Sequence, residues 1–324
     1  MRKISFIVML MILLITISCG DNGGNVDTKL QKGTDGLVMK FMKNIPKQVY
    51  EKDKLYLNFE ISNQGYTDIK EGILLPLIER DFIQIDSWEL SSDLSADSEN
   101  TVKFDLDGKS LSSTRGEKKV ITLMLNAKEI EDTRNKQKTN IVISACYPYS
   151  SVLSDTICID TDPNDLTVAK KTCKVKDVTS AGQGGPVVIN KIEEKILPGD
   201  SKDSVRVQFI IHAINKGDGI LIDYDKYRDI CIGRNPEKED YNSIKIKGLR
   251  FSDYAYEDGD FECEPNPLKE VKGEYIARCV LKAENSIPKS MLTFQTPIVL
   301  ELIYGYKTAI SEEVEILNRN EQLN

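Results

Sequence analysis

The 324-residue chain has one histidine and one tryptophan, and it contains neither a Gly-x-Ser-x-Gly motif nor a Cys-x-x-Cys motif. A single histidine leaves little basis for a Ser-His-Asp or Cys-His catalytic site, and the nucleophile elbow is missing. Structural zinc sites usually carry closely spaced cysteine pairs, so the cysteine spacing argues against zinc. The sequence therefore indicates a protein that is not an enzyme.

Long basic runs are also missing. Lys plus Arg total 43 and Asp plus Glu total 51, which gives a formal net charge of -8. An acidic chain repels the phosphate backbone that supplies most of the affinity in nucleic-acid binding. We therefore expect no nucleic-acid partner. The length favours about two domains.

The N-terminus has the pattern of an exported protein. Basic residues at positions 2 and 3 precede an apolar run over positions 4 to 17, as in a signal peptide. A helix of about 14 residues spans about 21 Å, which is shorter than the roughly 30 Å hydrocarbon core of a bilayer. The run is therefore a poor permanent membrane span.

The segment from Ile15 to Gly20 (Ile-Thr-Ile-Ser-Cys-Gly) resembles the lipobox of prokaryotic lipoproteins. The resemblance implies that Cys19 becomes the acylated N-terminal residue, although Thr16 stands where Leu, Val or Ile is usual. An uncleaved anchor and ordinary secretion are the alternatives. We expect a signal peptide over residues 1–18, a flexible tether over residues 19–35, and a lipid anchor that holds the protein on the extracytoplasmic face of the cell envelope.

The remaining chain contains an internal repeat. Apolar residues alternate over residues 55–61 and 205–213, and each run leads into an Asn-x-Gly turn, with Asn63 and Asn215 lying 152 positions apart. Each run therefore predicts a strand followed by a hairpin. Residues 143–159 and 300–316 also align, at a displacement of 157, and both contain Tyr-x-Tyr. Two matches at nearly equal displacement indicate an internal duplication.

Both copies consist of short apolar stretches separated by Gly, Asn, Asp, Ser and Pro, the pattern of an antiparallel sandwich. We predict an all-β fold with two tandem antiparallel β-sandwich (immunoglobulin-like) domains, each with its own core. Residues 123–132 also fit a short helix, although residues 120–123 fit the end of a strand better. The expected boundaries are domain 1 at 36–160, a linker at 161–183, domain 2 at 184–318 and a tail at 319–324.

The segment from Phe59 to Gly65 is similar to the adhesion-related, immunoglobulin-like modules of prokaryotic surface proteins, in which a strand runs into such a turn. Asn and Gly tolerate a positive φ at little cost. The order of several motifs also resembles surface proteins of small-genome archaea: Cys19, Gly36-Leu37-Val38-Met39, Asn63-x-Gly65, Cys146-Tyr-Pro-Tyr149 and Gly182-Gln-Gly-Gly-Pro186. These resemblances imply a surface setting and supply no catalytic residue.

Six cysteines besides Cys19 form an even set in a chain directed to an oxidising compartment. They are Cys146, Cys158, Cys173, Cys231, Cys263 and Cys279. The repeat favours a disulfide between Cys146 and Cys158, because one copy has both and the other has neither, and because they lie symmetrically about Val152 as in a hairpin. Cys263 and Cys279 flank Gly273 in the same way, which leaves Cys173 to pair with Cys231.

Acidic clusters make calcium the one cofactor to consider. Residues 160–165 begin like a calcium-binding loop, but Pro163 stiffens them and Lys171 stands where a bidentate acid belongs. A later loop offers oxygen ligands outside that template, with a solvated acidic loop as the alternative. Its candidate ligands are Glu257, Asp258, Asp260 and Glu262.

His212 falls on the polar side of its strand, which indicates a partly exposed strand residue. The Tyr-x-Tyr residues of each copy share one face, which favours support of the sheet over contact with a ligand. These residues are Tyr147, Tyr149, Tyr304 and Tyr306.

Taken together, the pattern predicts an envelope-anchored, non-catalytic adhesion or protein-interaction lipoprotein. One alternative is a surface protein that binds a glycan or a small solute in a concave pocket lined by tyrosine. The other is a structural subunit of a surface assembly. The expected partners are the membrane, through the lipid anchor, and a surface protein or glycan.

Overall fold

The computed structural model describes residues 30–319 apart from residues 44, 92–93, 99, 132, 165–169 and 235. Within these residues the chain forms twenty β-strands and one short α-helix, α1 (Tyr227–Cys231). All strand pairs are antiparallel except one short parallel pair. The predicted all-β, antiparallel fold class is confirmed.

The strands divide into two sets along the chain. The first half contains β1 (Leu37–Phe41), β2 (Gln48–Tyr50), β3 (Lys54–Asn63), β4 (Ile69–Ile78), β5 (Ile83–Glu89), β6 (Ser95–Ser98), β7 (Thr101–Leu106), β8 (Lys118–Ala127) and β9 (Lys136–Asp160). The second half contains β10 (Val178–Thr179), β11 (Val187–Pro198), β12 (Ser204–Asn215), β13 (Ile220–Ile222), β14 (Ser243–Phe251), β15 (Tyr254–Ala255), β16 (Phe261–Glu264), β17 (Leu268–Val271), β18 (Glu274–Leu281), β19 (Ile287–Pro288) and β20 (Thr293–Leu317).

Alternation of apolar and polar residues explains the central strands. In β3 the odd-numbered residues from Leu55 to Ile61 are buried while Tyr56 and Asn58 are exposed, as the period of two requires. Strand β8 alternates in the same way and pairs with β3 on one side and β5 on the other. Residues 123–127 therefore belong to a strand: alternate side chains are buried on one face, and the backbone pairs with a neighbouring strand along each edge.

The first half is a sandwich of two sheets. One sheet has the order β1-β3-β8-β5, and the other contains β9, β4, β7 and β6. After β3, the turn at Asn63 carries the chain to β4, which pairs with β7 and β9. The predicted hairpin at this turn is therefore wrong, because the buried faces of the two sheets have to oppose each other and the chain crosses between them.

The second half repeats this arrangement. Strand β12 lies between β11 and β18, as β3 lies between β1 and β8, and β14 pairs with β20 as β4 pairs with β9. The internal duplication inferred from the sequence is thus visible in the strand order. Here β17 pairs with both β14 and β18, so the two layers of the second half are joined in one sheet.

Two strands of 25 residues each, β9 and β20, connect the halves. They pair along their whole length, from Lys136 opposite Leu317 to Asp160 opposite Thr293. Residues 146–158 therefore run straight through one strand, and the predicted hairpin about Val152 does not form.

The end of each long strand lies in the opposite half. Ile157 and Ile159 of β9 are buried beside the start of β20, while Val314 and Ile316 of β20 are buried where β2 pairs with residues 315–317. Most of the buried hydrophobic residues of both halves form one connected cluster, and a smaller second cluster surrounds Cys146 and Cys231. The expectation of separate cores is therefore not met, and the predicted domain boundaries stay a prediction.

Candidate interaction site

Four tyrosines meet at the middle of the β9–β20 pair. Tyr147 lies opposite Tyr306 and Tyr149 lies opposite Tyr304 in the strand register. Neighbouring ring centroids are 5.7 to 6.3 Å apart, within the range of favourable aromatic contacts. All four side chains are at most 3% exposed. We call this group the tyrosine centre.

The tyrosine centre holds both Asn-x-Gly turns in place. The Tyr149 hydroxyl donates to the Asn63 carboxamide oxygen over 3.4 Å, and the Tyr306 hydroxyl donates to that of Asn215 over 3.1 Å. Each turn glycine N–H bonds the same oxygen of its Asn, at 3.1 Å for Gly65 and 3.2 Å for Gly217. A Cβ at either glycine would overlap the tyrosine hydroxyl, so both turns need glycine.

The other two tyrosines fix the first residue of an adjacent strand. Tyr147 accepts a hydrogen bond from the backbone N–H of Leu37 over 3.1 Å, at the start of β1. Tyr304 accepts one from the backbone N–H of Val187 over 3.4 Å, at the start of β11. The two halves therefore use matching contacts to place matching strands.

Burial raises the pKa of every hydroxyl in the tyrosine centre, most strongly in the first half, at Tyr147 and Tyr149. Hydrogen bonds with backbone and side-chain groups lower these pKa values only in part. The phenols are neutral and occupied by structural partners, so the residues support the sheets, as the sequence predicted.

A groove opens beside the tyrosine centre, at the outer edge of β1. It has a volume of about 280 Å³. One wall is formed by residues 34–39, and the facing walls are formed by residues 308–310 of β20 and by the second Asn-x-Gly turn with the residues after it, 216–219. Strand β1 ends its sheet here, since β3 is its only strand partner in the described part of the chain.

All six cysteines of the described chain are paired, but only one pair matches the prediction. Cys263 and Cys279 are bonded across β16 and β18. Cys146 is bonded to Cys231 and Cys158 to Cys173, so the predicted pairs Cys146–Cys158 and Cys173–Cys231 are wrong.

The physical reason lies in β9. Twelve residues of extended strand separate Cys146 and Cys158 by roughly 40 Å. Cys146 instead faces α1 on the outer side of the sheet, where it is buried with Ile73, Ile222 and Ile230. Cys158, near the far end of β9, holds the segment that follows this strand.

The remaining candidates do not converge on one site. The His212 Nδ1 atom lies 3.1 Å from the Glu274 carboxylate and its Nε2 atom lies 3.2 Å from that of Glu193, so the imidazole is partly buried between two acids. Among residues 30–319, outside the gaps, no three acidic, cysteine or histidine side chains share metal-binding geometry.

The structure places the calcium candidates separately. Asp260 accepts hydrogen bonds from the Ala255 N–H at 2.8 Å and from the Asn285 carboxamide at 2.6 Å. Glu257, Asp258 and Glu262 are exposed. Calcium binding by this loop stays a prediction.

Sequence reasoning missed two buried polar residues. Gln183 is 5% exposed, and its carboxamide bonds both the N–H and the C=O of Ile189, at 2.9 and 3.0 Å. Glu194 is partly buried, and one of its carboxylate oxygens has no hydrogen-bond partner in the described chain.

Burial raises the pKa of Glu194 to about 8. A hydrogen bond from the Asp160 backbone lowers this pKa, and the negative charge of Asp160 raises it. Gln183 bonds Ile189, six residues along the chain, but the Gly182-Gln-Gly-Gly-Pro186 motif does not by itself reveal this contact. Glu194 is close to Asp160, which is distant in the sequence, and no local pattern marks it.

The lipid-attachment candidate, Cys19, lies outside the described residues. No helix among the described residues is long and apolar enough to cross a membrane. The predicted anchor is therefore carried only by the sequence of residues 1–20.

No family model and no curated protein matches the chain. Among solved structures, similarity is found to a cohesin–dockerin complex from Clostridium thermocellum at 12% identity and a TM-score of 0.26, covering 36% of this chain and 84% of that chain. A secreted serine protease from Vibrio cholerae is similar at 10% identity and a TM-score of 0.19, covering 85% and 51%. The B domain of a biofilm-associated protein is similar at 7% identity and a TM-score of 0.19, covering 82% and 71%. Scores this low assign neither a family nor a function.

Proposed function

We propose that this chain is a non-catalytic protein-interaction or adhesion protein, held on the extracytoplasmic face of the cell envelope by a lipid on Cys19. The observation that carries the interaction role is the outer edge of β1, which ends its sheet beside an open groove. Unpaired strand edges are surfaces that extended segments of other proteins recognise.

Export is supported by the cysteines. Three disulfides join all six cysteines of residues 30–319, and such bonds persist in oxidising compartments. The signal-peptide pattern of residues 1–18 agrees with export, and the lipobox resemblance at Cys19 supplies the anchor.

The non-catalytic role is supported by the contacts of the histidine and of the buried tyrosine hydroxyls. The lone histidine is held between two glutamates, and the four buried tyrosines are neutral and hydrogen-bonded to backbone or turn groups. The Tyr304 hydroxyl also contacts the Ser151 hydroxyl at 2.9 Å, and Ser151 is in turn bonded to the Val187 carbonyl at 2.6 Å, so this pair too is held in structural contacts. Binding through strand edges and turns requires none of these groups to react.

Fractionation tests the anchor. We expect the wild-type protein in the membrane fraction, with an acylated Cys19 at its N-terminus by mass spectrometry. The Cys19→Ala variant should appear in the soluble fraction or as an uncleaved precursor. An unmodified Cys19 in the membrane fraction would contradict the lipid anchor.

Cross-linking on intact cells tests the interaction role. A lysine-reactive reagent should join the mature protein to another envelope protein, and the joined peptides should locate the contact. An excess of free, unlabelled protein should reduce the yield. If no protein is joined and the purified chain instead binds a glycan array, the glycan-binding alternative replaces this proposal.

A further inference from the structure

In the second half, the outer edge of β11 is already covered by other residues of the chain. Strand β10 pairs with residues 191–192 of β11. Just before β11, the Gln183 carboxamide accepts from the Ile189 N–H and donates to the Ile189 C=O. The side-chain amide thus takes the place of a peptide group on the strand edge.

The repeat identifies the same position in the first half. Leu37 of β1 pairs with Asn63, as Val187 of β11 pairs with Asn215, and each of the two strand residues donates its N–H to a tyrosine hydroxyl. Two residues further along, Met39 corresponds to Ile189.

The hydrogen bonds around β1 show which way Met39 faces. Leu37 gives its N–H to Tyr147 and Met42 gives its N–H to the Asn58 carbonyl of β3. Antiparallel pairs alternate between bonded and non-bonded positions, so Met39 directs its N–H and C=O away from β3. No hydrogen bond to these two groups is found within the described part of the chain.

Met39 lines the groove at the β1 edge, and its side chain is buried. The groove is about 280 Å³, which accommodates an amide side chain or a short length of extended chain. In the first half, therefore, an open groove lies at the position that corresponds to the one covered by Gln183 in the second half.

We propose that the outer edge of β1 binds an extended segment of a partner protein, which adds a strand and presents a Gln-type carboxamide or a peptide group to the backbone of Met39. This inference rests on the proposed function and specifies its site. The recognition is β-strand addition, with backbone hydrogen bonds supplying affinity and the groove supplying side-chain selection.

The chain supplies its own test ligand. A fluorescently labelled peptide of residues 176–186 (Lys-Asp-Val-Thr-Ser-Ala-Gly-Gln-Gly-Gly-Pro) contains both covering elements of the second half. Fluorescence polarisation with the full mature chain should show saturable binding. A peptide with Leu in place of its Gln should bind at least about tenfold more weakly, since one lost pair of hydrogen bonds to buried groups has that effect.

Two protein variants test the site itself. Met39→Pro removes the outward N–H, and proline is tolerated where that N–H faces away from the sheet. Thr308→Trp fills the groove from its opposite wall, and Glu313→Trp on the same strand is the matched control. We expect at least about tenfold weaker peptide binding for the first two variants and unchanged binding for the control.

Several results would overturn the proposal. These are no binding by the wild-type chain, equal binding by Met39→Pro and Thr308→Trp, binding only after removal of residues 20–29, or self-association that Met39→Pro abolishes. The last two would assign the edge to the chain itself or to a second copy. If peptide binding fails while intact-cell cross-linking still captures a partner, only this inference fails; the reverse outcome refutes the proposed function.

Discussion

At the scale of single residues, the two repeated motifs contact each other within each half. The sequence shows Asn-x-Gly and Tyr-x-Tyr as separate matches, at displacements of 152 and 157. In the structure each Asn meets the tyrosine of its own half, Asn63 with Tyr149 and Asn215 with Tyr306. The supporting role of the tyrosines was predictable from their shared face, whereas their partners depend on how distant strands cross.

Gln183 provides a direct test of the amide contact in the second half. Replacing it by Leu leaves the buried N–H and C=O of Ile189 without partners, so we expect the free energy of unfolding to fall by about 1 to 3 kcal/mol. Gln84→Leu, at an exposed position of β5, should change it by less than about 0.5 kcal/mol. Urea unfolding of both variants measures the difference, and equal stabilities would contradict the assigned contact.

Glu194 makes stability depend on pH. Its pKa is about 8 in the folded chain and 4.5 as a free group, so the folded state retains a proton that the unfolded state releases. Stability from this residue is therefore complete below about pH 4.5 and is lost as the pH rises to 8 and beyond.

The variant Glu194→Gln removes this titration. It should match the wild type near pH 4 and be more stable by roughly 2 to 4 kcal/mol at pH 9. Glu313→Gln, at a position half exposed to solvent, should show no such growth with pH. A constant difference between Glu194→Gln and wild type across this range would show that the pKa of the carboxyl is the same in the folded and unfolded states, and would contradict the raised pKa.

At the scale of elements, the continuous course of β9 is the feature that the sequence did not predict. Strand alternation, the Asn-x-Gly turns and the fold class follow from local patterns, and they were predictable. The course of residues 136–160 was not, because symmetry about Val152 fits a hairpin and a continuous strand equally well. Only the full-length pairing with β20 decides between them.

The cysteine pairing follows from that strand. Nonreducing digestion and mass spectrometry should find Cys146 with Cys231, Cys158 with Cys173 and Cys263 with Cys279. Cys146→Ser should cost about 4.5 kcal/mol and Cys158→Ser about 3 kcal/mol, from the sequence separations of 85 and 15 that their bonds close.

The double variant distinguishes this pairing from the predicted one. With two separate disulfides removed, the costs of Cys146→Ser and Cys158→Ser should approximately add. If these two cysteines were bonded to each other, either single variant would cost as much as the double. Thermal unfolding of the three variants separates the two cases.

At the scale of the whole molecule, two copies of one sandwich are interlocked. Residues 153–160 of β9 pair with the start of β20, and residues 308–317 of β20 pair with the first part of β9. Each half therefore lends buried side chains to the other, among them Ile159 in one direction and Ile316 in the other. The duplication was predictable from the sequence, but this exchange was not, because antiparallel pairing between repeats leaves no signal in either repeat alone.

Interlocking also determines how the proposed binding edge is presented. The groove at β1 has one wall from the first half and the others from β20 and the 216–219 turn of the second half. A separated first half would lack two of its walls. We therefore expect the β1 edge to bind its partner only in the intact chain.

Separate expression of residues 36–160 and 172–320 tests the interlocked architecture most directly. Each half alone should show no cooperative thermal unfolding, because its core lacks the strand end supplied by the other half, and mixing the two under oxidising conditions should restore one cooperative transition. Circular dichroism and calorimetry measure both states. Cooperative unfolding of each half alone, with no change on mixing, would show two independent cores and contradict the interlocked architecture.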